Sequence, residues 1–217
     1  MNVIFISLVS YLIGSLNGAQ LLHHFFRLRF PRHITEIGTK NAGAQNVWMS
    51  IGKISGIIVF AIDFFKGFAV VWLGRFMGFE GPPLLLFGVF SIVGHNWPMY
   101  FHFKGGRGFA TLIGTFYALS LPIAIIASFM TVPFGVFRMA GLSPFVFLIV
   151  GIFALHATFG LSIVLVCLAL ATVLFVRRIH AEWDALSRGK NKLQILKNLF
   201  IYDRASTRPP SFKELFR

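Results

Sequence analysis

Long apolar runs, separated by short polar connections, constrain this chain more than any other feature of its sequence. The 217 residues are 56% hydrophobic and only 12% charged, and 27 of them are phenylalanine. Soluble domains have a clearly lower apolar share, so much of this surface is suited to lipid and not to water. A helix that crosses the hydrocarbon core needs about 20 apolar residues. The sequence therefore predicts an all-α integral membrane protein.

The apolar runs divide the chain into about seven transmembrane helices. We predict spans over residues 3–25, 52–74, 82–101, 108–119, 121–137, 143–158 and 160–176. Together, residues 1–178 are predicted to form a single membrane domain. Residues 179–217 are predicted to form a basic tail with an amphipathic helix that lies on the cytoplasmic membrane surface.

Basic residues are concentrated in alternate connections, and this predicts the orientation. One side of the membrane receives residues 27–50, residues 102–108, the turn near Arg138 and the tail, whereas the other side keeps Arg75. The positive-inside rule places the N-terminus outside and the C-terminus in the cytoplasm. Contacts with anionic headgroups account for the net charge of +13, so we do not expect a nucleic-acid partner.

The first candidate site is the glycine-rich stretch FKGGRGFAT. Gly105, Gly106 and Gly108 allow backbone N–H groups to turn towards an anion, and Lys104 and Arg107 supply positive charge. A helix that begins near Gly108 would direct its N-terminal dipole to the same place. The stretch lacks Walker A spacing. The alternative is a turn at the membrane edge whose cations only reach the headgroups.

The second candidate site is the stretch EIGTKNAGAQNVW. Gly38, Asn41, Gly43 and Asn46 alternate with small residues, as in a tight loop that approaches a ligand. Asparagine side chains can hold a phosphate or a hydroxyl group without a proton change. The alternative is an interhelical turn in which Asn46 caps the following helix.

Three ionisable residues lie within predicted spans. Asp63 and Lys66 are three residues apart on one helix face, and we expect the pair mainly to lock helices together. His95, at the end of the third span, is either a general base or phosphate ligand, or a hydrogen-bonded core histidine. No histidine pair has metal-ligand spacing with acidic neighbours, so we predict no metal.

Three segments resemble one family, the acyl-phosphate–glycerol-3-phosphate acyltransferases, or PlsY family. They are YLIGSLNGAQLL, GTKNAGAQNVWMSIGK with the following GIIVFAIDFFKG, and GHNWPMYFHFKGGRGFATLIG. The resemblance extends over most of residues 8–115, in order and with similar gaps. It implies seven spans, an external N-terminus and a site on the cytoplasmic side of a bacterial membrane.

The resemblance also implies an activity in phospholipid biosynthesis. Such proteins transfer an acyl chain from acyl phosphate to glycerol 3-phosphate, which gives lysophosphatidic acid without a covalent enzyme intermediate or a cofactor. Carried over by motif, the catalytic residues are Asn41, Asn46 and His95. The phosphate-binding residues are Gly38, Thr39, Lys104, Gly105, Gly106, Arg107 and Gly108, and the supporting residues are Ser15, Asp63, Lys66 and Arg138.

The chain departs from the family pattern at several positions. The usual Gly-Ser-Gly-Asn is replaced by a segment that contains Thr39 and Lys40, and an upstream arginine is replaced by Thr35. Gly141 stands where the family has a serine, and the tail RRIHAEWDALSRGKNK lacks a matching asparagine. Alternatives are a relative with another acceptor, and a non-catalytic lipid- or anion-binding subunit of a partner enzyme. A transporter is disfavoured because the sequence has no repeat.

Overall fold

Every regular element in the computed structural model is a helix within the residues it describes, which are 2–25, 33–136, 139–189 and 191–203. In chain order the α-helices are α1 Val3–Gly14, α2 Gly18–Phe25, α3 Ala44–Ser50, α4 Lys53–Phe76, α5 Pro82–Asn96, α6 Phe109–Leu119, α7 Leu121–Val136, α8 Ser143–Phe159, α9 Leu161–Ala181, α10 Trp183–Arg188 and α11 Lys192–Tyr202. A single 3-10 turn in these ranges, η1, covers Met99–Phe101.

The apolar helices coincide with the predicted spans. Among the described residues, three helical segments are long and apolar enough to cross a membrane: Lys53–Phe76, Pro82–Phe101 and Leu161–Ala181. Helices α1 and α2 qualify together as one bent span, and α6, α7 and α8 supply shorter apolar helices. The prediction of an all-helical membrane protein is confirmed. The number of crossings and the orientation stay predictions.

The first predicted span, residues 3–25, is wrong as a single helix. It is broken after Gly14, and α2 starts at Gly18 with a bend of 45° between the two helices. Charged side chains from α4 satisfy the backbone groups at the break: the Gly18 N–H donates to Asp63 Oδ1 at 3.1 Å, and Lys66 Nζ donates to the Leu16 carbonyl at 3.4 Å. Non-helical backbone is tolerated at membrane depth only where protein groups pair with it in this way.

Small residues allow the helices to pack closely. A Cβ atom at Gly14 would lie 2.6 Å from the Ser91 Cα, so α1 and α5 meet backbone to backbone. Gly114 of α6 approaches the Phe64 carbonyl of α4 in the same manner. Such contacts are typical of helix association in lipid, where burying apolar area gives little advantage.

The C-terminal part folds back onto the membrane helices. Helix α9 continues to Ala181, so the predicted domain boundary at residue 178 lies inside a helix. Helix α11 buries Ile195 and Leu199, and its Phe200 ring stacks on Phe175 with ring centroids 5.0 Å apart. Helix α11 therefore directs an apolar face against the protein, and the location of the tail on the cytoplasmic membrane surface stays a prediction.

We expect Gly14→Ala to lower stability by about 1–3 kcal/mol, because the new methyl group must push α1 away from the Ser91 backbone. The matched control is Gly135→Ala, where a Cβ atom would meet nothing within 4 Å. The measurement is thermal unfolding of the two variants in detergent. Equal midpoints for both variants would contradict the close α1–α5 packing.

Candidate functional site

A buried cluster of three ionisable side chains joins α4 to α5. Lys66 Nζ lies 2.8 Å from Asp63 Oδ1 and 2.8 Å from His95 Nδ1, and His95 Nδ1 lies 3.2 Å from Asp63 Oδ1. All three side chains are buried. Because Asp63 and Lys66 also contact the α1–α2 break, this cluster connects three parts of the membrane bundle. We call it the ionic junction.

His95 has protein on both ring nitrogens. Its Nδ1 faces the ionic junction, while its Nε2 lies against Gly106, where a Cβ atom would overlap it. The His95 carbonyl also accepts a hydrogen bond from the Gly106 N–H at 3.1 Å. This geometry favours the interpretation of His95 as a core histidine that holds the glycine-rich stretch in place.

The glycine-rich stretch forms a loop that is fixed from both sides. Arg177 of α9 donates to the carbonyls of Gly106 and Gly105, at 2.8 and 2.7 Å. A Cβ atom at Gly105 would lie 2.5 Å from Pro98, so a larger residue cannot be accommodated. Gly108 has a φ of +82° and directly precedes α6, as the sequence predicted. We call residues 104–108 the glycine loop.

Asn46 organises the second polar stretch, residues 34–46, which we call the asparagine loop. Its Oδ1 accepts a hydrogen bond from the Thr39 N–H at 2.8 Å, and its Nδ2 lies 3.0–3.1 Å from the carbonyls of Ile34, Ile37 and Asn41. The N-cap of α3 is Gly43, so the alternative in which Asn46 caps this helix is wrong. With its amide engaged inside the loop, Asn46 shapes the loop and offers little to a ligand.

Asn41 of the asparagine loop keeps free hydrogen-bonding capacity, as does Asn96 at the end of α5. The Asn41 Oδ1 is buried and has no hydrogen-bond partner within the described residues. Next to it, Lys40 is exposed and adopts a left-handed conformation with a φ of 57°. Gly38 shares this left-handed region, with a φ of 56°, and a Cβ atom there would overlap Asn46 and Ser50. Lys40 is therefore exposed on the loop, Asn41 keeps an unpaired oxygen inside it, and Asn46 fixes the loop backbone.

Asn17 in the α1–α2 break and Gln20 in the first turn of α2 tie the two loops together. Asn17 Nδ2 donates to the Ala42 carbonyl at 3.0 Å, and Gln20 Nε2 donates to the Lys104 carbonyl at 2.6 Å. Both residues are buried, and the sequence analysis did not select either. Both are polar side chains inside a predicted span, and this feature of the sequence could have identified them. The break thus places the asparagine loop beside the glycine loop.

Arg107 makes its contacts with the tail. Its Nη2 lies 2.8 Å from Glu182 Oε1, and its Nη1 contacts the Asp203 carboxylate and, at 3.0 Å, the Asp203 carbonyl. Arg178 Nη2 lies 3.4 Å from the same carboxylate. Arg107 and Lys104 therefore have different surroundings: Arg107 is buried among carboxylates, and Lys104 is exposed.

The environments of the two tail carboxylates differ. Burial raises the pKa of Glu182 above its ordinary value, although Arg107 opposes the shift. Burial alone would also raise the pKa of Asp203, but Arg107 and Arg178 outweigh it and hold this pKa below its ordinary value. Asp203 is therefore the carboxylate whose charge the arginines stabilise most.

A cavity of about 620 Å³ opens beside the glycine loop. Its polar lining includes Gln20, Thr35, Glu36 and Lys104 together with the imidazoles of His24, His33 and His102. Its apolar lining includes Leu16, Leu21, Phe25, Tyr100 and Phe101. The cavity is thus suited to a molecule with an anionic and an apolar part.

Among the described residues that were predicted for the site, Lys104 lines this cavity, whereas Asn41, His95, Arg107 and Ser15 do not line it. The Ser15 hydroxyl donates to the Tyr11 carbonyl at the end of α1, at 2.9 Å. Arg138 lies outside the described residues. In the part of the chain that the structure describes, no three histidine, cysteine, aspartate or glutamate side chains converge so as to hold a metal ion.

The apolar helices define a multi-pass membrane protein. The cavity, which takes lining residues from both polar loops, is its candidate site. The model of the family described as Glycerol-3-phosphate acyltransferase matches residues 4–188. Glycerol-3-phosphate acyltransferase 4 of Dehalococcoides mccartyi strain CBDB1 is 32% identical over 215 residues, which cover 94% of this chain and 90% of that protein. The enzyme of Janthinobacterium sp. strain Marseille is 33% identical over 198 residues, which cover 88% and 96%. The chain belongs to this family.

Solved structures agree with the assignment. The chain is similar to the crystal structure of PlsY (YgiH), an integral membrane glycerol 3-phosphate acyltransferase, in its glycerol 3-phosphate form. The TM-score is 0.73 with 26% identity, and the match covers 87% of this chain and 93% of that one. The lysophosphatidic acid form gives a TM-score of 0.70 at 22% identity, with 98% and 97% covered, and supports the fold.

We expect Lys66→Met to destabilise the protein by about 3–5 kcal/mol, because it leaves the Asp63 carboxylate buried without its cation. The double variant Asp63→Leu/Lys66→Met removes both charges and should recover much of this loss. Unfolding in detergent measures both effects. If the double variant loses more unfolding free energy than the two single variants lose together, mutual neutralisation is contradicted.

We also expect the contribution of Asp203 to depend on pH. Its pKa in the folded protein lies below the ordinary value of 3.8, so its charge stabilises the fold above pH 3.8 and this contribution is lost as the pH falls through the folded pKa. The unfolding midpoint should therefore be higher for the wild type than for Asp203→Asn near neutral pH, and the difference should shrink in acid. A constant difference would contradict the ion pairs of Asp203.

Proposed function

We propose that this protein transfers a fatty acyl group from acyl phosphate to the 1-hydroxyl of glycerol 3-phosphate. The hydroxyl oxygen forms an ester bond with the acyl carbon, the bond from that carbon to the phosphate oxygen breaks, and the leaving phosphate keeps the electron pair. The hydroxyl proton passes to the phosphate, so the products are lysophosphatidic acid and inorganic phosphate. Acyl phosphate is already activated, and no covalent intermediate is required.

The observation that carries this proposal is the juxtaposition of two polar loops beside one amphiphilic cavity in a chain of this family. Gln20 fixes the backbone of Lys104 at the cavity, and Asn17 fixes the asparagine loop next to it. Lys104 lines the cavity together with three imidazoles and Glu36. Lys104 supplies positive charge and the imidazoles supply hydrogen-bonding groups, whereas Thr35 supplies no charge. We assign a substrate phosphate to this end and an acyl chain to the apolar lining.

Asn41 is the residue that we assign to the reacting groups. Its buried and unpartnered Oδ1 can accept the hydrogen bond of a substrate hydroxyl, and its Nδ2 can donate to the acyl carbonyl oxygen. Both interactions orient the reactants, and the second stabilises the charge that develops on that oxygen. Lys40, next to Asn41, is exposed, and the Thr39 N–H donates to Asn46, which fixes this part of the loop.

We assign positioning roles to the enclosed residues. The ionic junction of Asp63, Lys66 and His95 holds the glycine loop against α5, and Asn46 shapes the asparagine loop. Arg107 supplies a second cationic group, towards the tail. With the N-terminus outside, both loops face the cytoplasm, where the two anionic substrates are dissolved or partly inserted into the membrane.

The test is acyl transfer from palmitoyl phosphate to radiolabelled glycerol 3-phosphate by the purified protein. We expect Lys104→Gln to lower kcat/KM by about 10- to 100-fold, because a charge-assisted hydrogen bond to phosphate is worth about 1.5–3 kcal/mol. Asn41→Ala should lower kcat by a similar factor. The matched control is Lys53→Gln, which removes an exposed lysine at the start of α4.

The possible results separate the alternatives. If Lys104→Gln and Lys53→Gln behave alike, the phosphate assignment is wrong. If the wild type binds acyl phosphate but gives no product with glycerol 3-phosphate, another acceptor is indicated. If it neither binds nor reacts while remaining folded, a non-catalytic subunit is favoured.

A further inference from the structure

The terminal nitrogens of Arg107 are already occupied by carboxylates of the tail. Glu182 contacts one and Asp203 the other, and the Asp203 backbone carbonyl adds a further hydrogen bond. Arg107 is 5% exposed, so no open face remains for a phosphate group while these contacts last. Either Arg107 never binds a substrate anion, or a tail carboxylate must first leave its guanidinium group.

Asp203 and α11 lie beyond residues 4–188, the segment that the family model matches. Helix α11 is nevertheless anchored to the membrane domain. The Gly141 N–H donates to the Ile201 carbonyl at 3.1 Å, and a Cβ atom at Gly141 would overlap the Phe200 carbonyl. A glycine at position 141 therefore allows α11 to reach the place where Asp203 meets Arg107.

We propose that Asp203 is a built-in competitor for the phosphate group of a substrate at Arg107 and Arg178. The proposal rests on the proposed function, in which Arg107 is a cationic group of the site. The Asp203 carboxylate fills the position between the two guanidinium groups until a phosphate monoester takes it. The tail then acts as a strap that must open for this anion to bind.

The geometry favours replacement of the Asp203 carboxylate by a phosphate group over a permanent ion pair with the arginines. Arg178 is 2% exposed, yet its Nε and Nη1 have no hydrogen-bond partner within the described residues, and the Nε of Arg107 has none either. A phosphate offers three acceptor oxygens and more charge than one carboxylate, so it would satisfy donors that Asp203 leaves unpaired. Asp203 also has a φ of 60°, a conformation that non-glycine residues rarely adopt.

The direct test is the kinetics of Asp203→Asn. We expect the KM for at least one phosphorylated substrate to fall, on the order of fivefold, with kcat unchanged, because the competing charge is lost. Asp184→Asn is the matched control, since Asp184 is a tail carboxylate that is exposed and pairs with Arg188 at 3.9 Å. A KM that is unchanged or higher for both substrates in Asp203→Asn would overturn the proposal.

Gly141→Ala releases the strap without removing a charge. The new methyl group should displace α11 from the Phe200 contact, so the KM should fall in the same direction as for Asp203→Asn. The unfolding midpoint shows whether the membrane domain is retained. If this variant is folded and α11 exchanges rapidly but the KM does not fall, the competitor role is excluded.

A binding measurement separates failure of the strap from failure of the proposed reaction. Amide hydrogen exchange in Lys192–Tyr202 should accelerate when inorganic phosphate is added to the wild type, and chloride of equal ionic strength should have no such effect. The acceleration should be lost in Arg107→Gln. This response is expected even if no acyl transfer is detected, and its absence at saturating phosphate overturns the proposal.

Discussion

The ionic junction is the interaction on which the rest of the structure depends. Asp63 and Lys66 neutralise each other on one helix and, in doing so, supply the polar groups that allow a break between α1 and α2. A break of this kind would be unstable in hydrocarbon without partners. Asn17 in the break and Gln20 in the first turn of α2 hold the two loops. The buried ion pair therefore costs desolvation energy, but it stabilises the arrangement of the whole site.

The site separates residues that shape it from residues that are free to bind. Asn46, Arg177 and His95 are chemically capable of binding a substrate, yet each is used inside the protein to fix a loop. Lys104 lines the cavity, and Asn41 keeps a buried oxygen that has no hydrogen-bond partner within the described residues. Under the proposed function, fixed loops lower the entropic cost of aligning two substrates, which is the main task when the acyl donor is already activated.

Sequence periodicity was sufficient for the helices and for the positions of both loops, because apolar runs and glycines act locally. It could not distinguish the environment of Arg107 from that of Lys104, because these two cations are three residues apart and only the tertiary structure gives them different surroundings. The partners of Arg107 lie 75 and 96 residues away in the sequence. The break after Gly14 was missed for a similar reason, since its stabilising partners belong to another helix.

Electrostatics explains why the tail and the site are linked. Arg107 and Arg178 are buried at the edge of the membrane domain, where an unpaired guanidinium is costly. A site that must bind an anion during catalysis therefore needs another anion when it is empty. A phosphate lost to solvent cannot serve this purpose, whereas a carboxylate on a tethered helix returns at high effective concentration. The missing side chain at Gly141 is consistent with that requirement, because a Cβ atom there would overlap the Phe200 carbonyl, three residues before Asp203.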